Sequence, residues 1–499
     1  MNMKYFAAGA ALCALGMTGC RKDIDDAGTQ IKQQAIMTMR AIVNGPQTRA
    51  VYKENTTNET KMDFSWQNGD EISMVVNGVE ANKNIKLTTT DAAKSATFSG
   101  AATPWGGEKK PAYAFYPYDA TPYIVTGGDN PTTATVELSL PNPQAYTVGG
   151  AVSNSLLVGG GTATAEGGNI SATVAMKQVM SIIKLNISNV PAGSKVARVK
   201  LMCDEAVFPT TATVNLSDAT ITNPDTKVKE LTMNVTDNTT EATKTVSFAM
   251  FPTDLTGKKI RVEVTYDDNM KWRITEKDGT DFVRNMHYVM EFDGRPTVWA
   301  GGNLIADGSN GAKIGSSTDG GLYFQFGSLI GWAGGATGDG KDTPPTSMDP
   351  TVKVKPSGYT GSTAWNQDWR GDPATENVTT GTGDPCKYYL KGTWRLPTKD
   401  EYMRLFKFGD NNRPSYYIAP WSWSNTPASA THTSGLAFPA SGYRTYDVGH
   451  LRIVGSYGFY WSASPDGRNY GRGVQFYNRS MIPIYTYSRE FGLPVRCVQ

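Results

Sequence analysis

The sequence predicts a mainly β chain, with two antiparallel β-sandwiches in tandem followed by a separate third domain. Three observations predict it. Apolar residues recur at every second position in short runs: Ile260, Val262 and Val264 alternate with Arg261, Glu263 and Thr265, and Val246, Phe248 and Met250 do the same before Pro252. A period of two belongs to strands with one wet face. The 52 glycines and 27 prolines, with abundant Thr and Asn, supply turns such as Asn189-Val190-Pro191-Ala192-Gly193 between the runs,. Finally, eight of the eleven tryptophans fall in residues 297–499, a shift in composition that marks a domain of its own. At 499 residues the chain exceeds what one hydrophobic core supports,.

Residues 1–19 carry one basic residue, Lys4, an apolar run from Tyr5 through Leu15, and the small-residue end Met17-Thr18-Gly19. That run is too short to cross a bilayer and reads as a cleaved export signal. A cysteine directly after such a site looks like a lipoprotein box, so Cys20 is the expected acylated residue and its lipid the anchor to the outer membrane,. The alternative is an ordinary secretory signal with an incidental cysteine. Residues 20–34 form a tether, in which Lys22-Asp23-Ile24-Asp25-Asp26 is similar to the acidic tether that sends some Gram-negative lipoproteins to the cell surface, or is a solvated linker.

Formal charge is +2, and loss of Lys4 with the signal leaves +1 (2 − 1). A chain without a basic field is not expected to have a nucleic-acid partner. Beyond Cys13 in the signal and Cys20, three cysteines remain, Cys203, Cys386 and Cys497. In an oxidising compartment they imply one disulfide and one spare thiol. The expected pair is Cys386 with Cys497, while Cys203, beside Val199-Lys200-Leu201-Met202, fills a strand's buried face.

The first sandwich is assigned to residues 35–170 and the second to 171–296, divided at the Gly-rich stretch from Gly159-Gly160-Gly161 to Gly167-Gly168. Asp293-Gly294-Arg295-Pro296 breaks the last strand of the second, and the third domain takes 297–499. Ala35, Met37, Met39, Ala41 and Val43 form one apolar face of an opening strand, ended by Asn44-Gly45-Pro46. Thr48-Arg49-Ala50 follows as a basic site for a trypsin-like protease, with the cut between Arg49 and Ala50; Arg40 is the alternative site. Removing a first strand leaves a groove of unpaired backbone groups that another strand can fill. A permanent core strand beside an uncut loop is the competing reading.

Thr48-Arg49-Ala50, then Phe64-Ser65-Trp66-Gln67-Asn68-Gly69-Asp70-Glu71-Ile72, Ala114-Phe115-Tyr116-Pro117-Tyr118 and Leu138-Ser139-Leu140-Pro141, in that order within residues 20–295, resemble the fimbrillin family of Gram-negative pilus subunits. Val174–Ile187 looks like that family's entry into its second sandwich. The resemblance implies assembly by donor-strand insertion with other pilus subunits. Only Val498 and Gln499 follow Cys497, so the expectation is a subunit that accepts a strand without lending one and stands at the pilus tip.

In the last domain, Trp394-Arg395-Leu396-Pro397-Thr398 and Tyr460-Trp461-Ser462-Ala463-Ser464, with Cys386 and Cys497, resemble the lectin-like module whose α+β fold C-type lectins and formylglycine-generating enzymes share. Thr398 reads as a helix N-cap with Glu401 reaching back, and Met403, Leu405 and Phe406 are expected to face the core,. Trp394, Arg395 and Trp461 are read as specifying the fold. For contact with a glycan or with a host or bacterial protein, the favoured residues are Trp365, Asn366, Trp369, Trp421, Trp423, Tyr443, Arg444 and Tyr446, because Trp and Tyr join broad apolar faces to a polar edge,. Packing inside the module is the competing reading for each.

Glu-Pro-Asn, Gln-Pro-Asp and Trp-Asn-Asp, with which sugar-binding C-type lectins hold calcium, do not occur, and no metal or cofactor is expected. His287, His432 and His450 show no motif that links them to a nucleophile, so no catalytic residue is assigned,. The expected function is therefore a pilus-tip adhesin exposed at the outer membrane surface. An uncut, anchored lipoprotein that binds a glycan or partner protein is the alternative, and an enzyme on a formylglycine-generating-like fold is a third.

Overall fold

The Ala35–Val43 strand alternates as its sequence dictates: Met37, Met39 and Ala41 are fully buried, while Ile36 is 64% exposed. The computed structural model describes residues 35–43, 53–54, 62–63, 66–79, 82–93, 95–121, 123–147, 155–166, 169–223, 226–237, 239–268, 271–332, 334, 352–359, 383–406 and 421–499. The fold is mainly β, with two short helices among these residues.

Seven strands make the first unit, in the order Ala35–Val43, Asn169–Gln178, Leu157–Glu166, Lys110–Tyr116, Glu71–Val76, Ile85–Thr89 and Ser95–Ala102, which pairs back to the first. The sheet is thus closed on itself, where two facing sheets were expected. Met37, Met39, Trp66, Phe98, Val174 and Met176 fill it.

The expected division at 170/171 falls inside this sheet and is corrected. Gly159, Gly160 and Gly161 are strand residues, paired with Lys110–Tyr116 on one side, and the strand pairs with Asn169–Gln178 on the other. A Cβ on Gly159 would lie 2.6 Å from the Ala175 carbonyl oxygen, and one on Gly161 2.7 Å from that of Thr173. Close backbone approach, not a flexible linker, explains these glycines. The chain leaves the first unit after Gln178.

A sandwich forms the second unit. Gln144–Ala145, Glu230–Asn234, Val196–Met202, Lys259–Tyr266 and Trp272–Asp278 make one sheet, and Lys244–Met250, Ser181–Ser188 and His287–Asp293 the other. Leu185, Val246 and Phe248 meet Val199, Leu231, Val262 and Val264 between them, and Cys203 is buried at this core. A further layer interleaves both halves of the sequence: Val125–Thr126 and Thr135–Ser139 pair in one sheet with Thr211–Asn215 and Ile221–Asn223. Its Val136, Leu138 and Val214 share a core with Phe115 and Val158 of the first unit and with Ile182 and Phe251 of the second. The two units are joined through this core.

In the last domain, Trp299–Ala306 lies between Ala312–Ile314 and the terminal strand Arg496–Val498, and Tyr457–Asp466, Tyr470–Tyr477 and Ser480–Ser488 form a three-stranded sheet. Helices Pro385–Leu390 and Lys399–Phe406 pack against them. Trp272 and Ile274 of the sandwich enter the same apolar cluster as Tyr402, Leu405 and Phe406. Around that contact Arg261 pairs with Asp400 at 3.3 Å, Lys399 with Asp204 at 3.2 Å and Arg404 with Glu263 at 3.2 Å.

Candidate functional site

The first candidate is the place occupied by Ala35–Val43. That strand runs parallel to Asn169–Gln178, with Met37 beside Ile170 and Ala41 beside Val174, and antiparallel to Ser95–Ala102, with Met39 beside Phe98. Those two neighbours touch the sheet's remaining strands only on their other sides, so this strand alone closes the ring. Its departure would open two ladder edges and an apolar slot together. Each methionine returned to such a slot contributes roughly 1.5–3 kcal/mol by burial.

Arg40 sits in mid-strand, paired with Thr173 on one side and Thr97 on the other, and its Nε donates to Ser95 Oγ at 3.3 Å. A protease needs an extended segment free of such pairing, so Arg40 is a poor cut site in the folded chain. Arg49, Ala50 and Cys20 lie outside the described residues.

The second candidate is the surface of the last domain. Its scaffold starts at Glu401, fully buried, whose carboxylate takes both Nη1 and Nη2 of Arg395 at 2.7 Å, the Thr398 backbone N–H at 2.9 Å and the Thr297 hydroxyl at 3.0 Å. Burial alone would raise this carboxyl, but the Arg395 pair and the backbone donor outweigh it and hold it below the usual range,. Thr398 Oγ1 accepts from the Glu401 N–H at 3.2 Å, completing a capping box,. Leu405 and Phe406 are buried as expected, whereas Met403 is only half-buried and fully buried Tyr402 fills the core.

Cys386 and Cys497 are joined, 111 residues apart in sequence, in the core that also holds Trp461. Arg496, with no exposure, donates from Nε to Asn303 Oδ1 and from Nη1 to the Ala300 carbonyl, both at 2.9 Å.

Two of the favoured contact residues face inward and are corrected. Trp421, 4% exposed, packs on Phe406 at 4.6 Å and donates from Nε1 to the Leu405 carbonyl; Arg444, also 4% exposed, bonds the Gly449 carbonyl and lies over the Tyr323 ring. Both are packing residues, the competing reading given above. Trp423 and Tyr443 are half-buried, and Tyr446 is exposed against Phe491. Trp365, Asn366 and Trp369 lie outside the described residues.

The structure gathers further aromatics that the sequence reading missed. Tyr457 stacks on Tyr477 at 4.8 Å across the three-stranded sheet, Tyr485 lies 4.8 Å from Tyr487, and Tyr443 and Tyr446 join them through Phe459 and Phe491. Tyr485 is 45% exposed. The opposite face of the same sheet, through Tyr460, Val474 and Phe476, is core. Period-two spacing in Tyr457-Gly458-Phe459 and Tyr485-Thr486-Tyr487 was the available signal.

Among the described residues no group of three or more His, Cys, Asp or Glu gathers as a metal set. None of their helices is long and apolar enough to cross a membrane.

A domain family of unknown function matches residues 418–498. No curated protein matches the chain. Among solved structures, a candidate cell adhesion protein of Bacteroides ovatus is similar at 15% identity and a TM-score of 0.34, covering 51% of this chain and 90% of its own. A fimbrial assembly protein of Parabacteroides distasonis is similar at 10% identity and a TM-score of 0.27, with 52% and 91% covered. The fimbrial anchor protein Mfa2 of Porphyromonas gingivalis is similar at 10% identity and a TM-score of 0.22, with 49% and 82% covered. The fimbrillin-like family matches residues 48–306, more than half of the sequence, and the chain belongs to that family.

Proposed function

We propose that this chain is a pilus-associated adhesin of the cell surface that loses Ala35–Val43 by cleavage after Arg49, accepts a neighbouring subunit's strand in its place, and presents the last domain. The observation that carries the proposal is the strand's position as the closing member of the first sheet, bordered by two strands that pair with it alone on that side. An incoming strand regains both ladders and the slot between them, which makes a long-lived joint.

Export, acylation at Cys20 at the outer membrane and a place at the fibre tip belong to the same proposal. Arg496–Val498 is paired with Trp299–Ala306 and held by the Cys497 disulfide, so this strand itself is not free to be lent. The role is one of binding rather than catalysis, on a lectin-like module whose ligand is a glycan or a protein. Tyr446 and Tyr485 supply the exposed aromatic surface for it.

N-terminal sequencing of surface-extracted protein tests this reading: a start at Ala50 in assembled fibres is the expected result. A lipidated start at Cys20 in all functional material overturns it in favour of the uncut, anchored lipoprotein. The complete pairing of Ala35–Val43 is the observation that favours that second reading.

A further inference from the structure

A cleft of about 580 Å³, within the range of small-molecule sites, lies between residues 117–121 and 123–126 on one side and the strand end from Glu137 to Pro141 on the other,. Period two builds its wall. Leu138 and Leu140 point into the core shared by the two units, at 3% and 4% exposure, and Glu137 and Ser139 therefore point outward,. The side chains of Glu137 and Ser139 make no hydrogen bond or ion pair among the described residues.

Opposite them, the Tyr123 ring is stacked on Phe115 at 4.2 Å, with 15° between the planes, and its hydroxyl donates to the Pro117 carbonyl at 3.3 Å. Asp119 is held by a turn in which its Oδ1 accepts the Thr121 N–H at 2.8 Å. No Lys, Arg or His lines the cleft among the described residues. Two carboxylates without a cation repel phosphate, sulfate and acidic sugars, and they accept hydrogen bonds from hydroxyl donors. The apolar and aromatic surfaces between them disfavour burial of a charged group and suit a face of C–H groups. A pyranose ring offers both surfaces at once.

We infer that this cleft is a binding site for a neutral saccharide, with Glu137 and Asp119 accepting from its hydroxyls and the Tyr123 side packing on its C–H face. The site lies in the fimbrillin-like part of the chain and does not depend on strand acceptance, because the uncut chain already holds it.

The test is an array of neutral oligosaccharides probed with the uncut full chain, with the Glu137→Gln and Glu166→Gln variants alongside and thermal melts to confirm folding. Loss of one charge-assisted hydrogen bond predicts that Glu137→Gln binds its sugar about tenfold or more weakly. Glu166→Gln, at an exposed carboxylate outside the cleft, keeps the signal. The inference is overturned by an array with no neutral sugar bound, or by sugar binding that survives Glu137→Gln or that Glu166→Gln weakens as much. It is equally overturned if a lysine-rich peptide, and no sugar, binds in a Glu137-dependent way. The N-terminal sequencing that tests assembly is unaffected by any of these results.

Discussion

Met39 stands beside Phe98 across the antiparallel ladder, 59 positions away in sequence (98 − 39), and both side chains are fully buried. On the other side of Met39 the parallel neighbour is Ala172. One residue of the opening strand thus reports on both edges that the strand closes.

Replacing Met39 by Ala leaves a cavity where no neighbour can collapse without breaking a ladder. A loss of about 2–5 kcal/mol is expected. Denaturant unfolding followed by intrinsic tryptophan fluorescence, to which buried Trp66 contributes from its contact with Phe98 at 4.8 Å, measures it. A midpoint unchanged from wild type contradicts the placement of this strand in the core.

Glu401→Ala strips Arg395 of its carboxylate partner and the Thr398 cap of its reciprocal bond. The expected loss is roughly 3 kcal/mol, the low end for a broken buried pair, because the Arg395 side chain keeps 28% exposure,. Thermal melts of wild type, Glu401→Ala and Arg395→Met separate the pair from the cap.

The Cys386–Cys497 bridge closes a loop of 111 residues. Loop-closure entropy assigns it on the order of 4–5 kcal/mol. The double change to Ser is expected to lower the stability of the last domain by about that amount, read as protease sensitivity within residues 383–499, while cleavage within the Ser181–Asp293 sandwich is unchanged.

Burial pushes the Asp384 carboxyl up to about 6, against the N–H groups of Leu396, Lys387 and Cys386, which favour the anion. The folded chain then binds this proton more tightly than the unfolded chain. The resulting stability is present below the ordinary value of 3.8 and is lost as pH rises through about 6,. Asp384→Asn removes that dependence. Relative to wild type, the variant is expected to gain between about pH 4 and 6 and to hold a constant difference above. Urea midpoints at stepped pH values check the sign.

Local features were legible in the sequence because they depend on near neighbours. Thr398 and Glu401 are three residues apart and cap one helix start in a way that needs no distant partner. Gly159–Gly161 misled for the complementary reason: glycine serves a linker and a close strand crossing equally, and only the carbonyls of Thr173 and Ala175 decide between them. Trp421 and Arg444 carry the composition of a contact surface, yet the Leu405 and Gly449 carbonyls draw them inward.

By itself the sequence determined the mainly β class and the two-residue alternation of the opening strand, since periodicity and composition are local properties of a chain. Tertiary structure alone decided that Ala35–Val43 closes a ring between Ser95–Ala102 and Asn169–Gln178, that strands from both halves share one layer, and which tyrosines meet on one face. Alternation says which side chains share a face; what covers that face is set by strands far away in sequence, whose pairing no local pattern encodes.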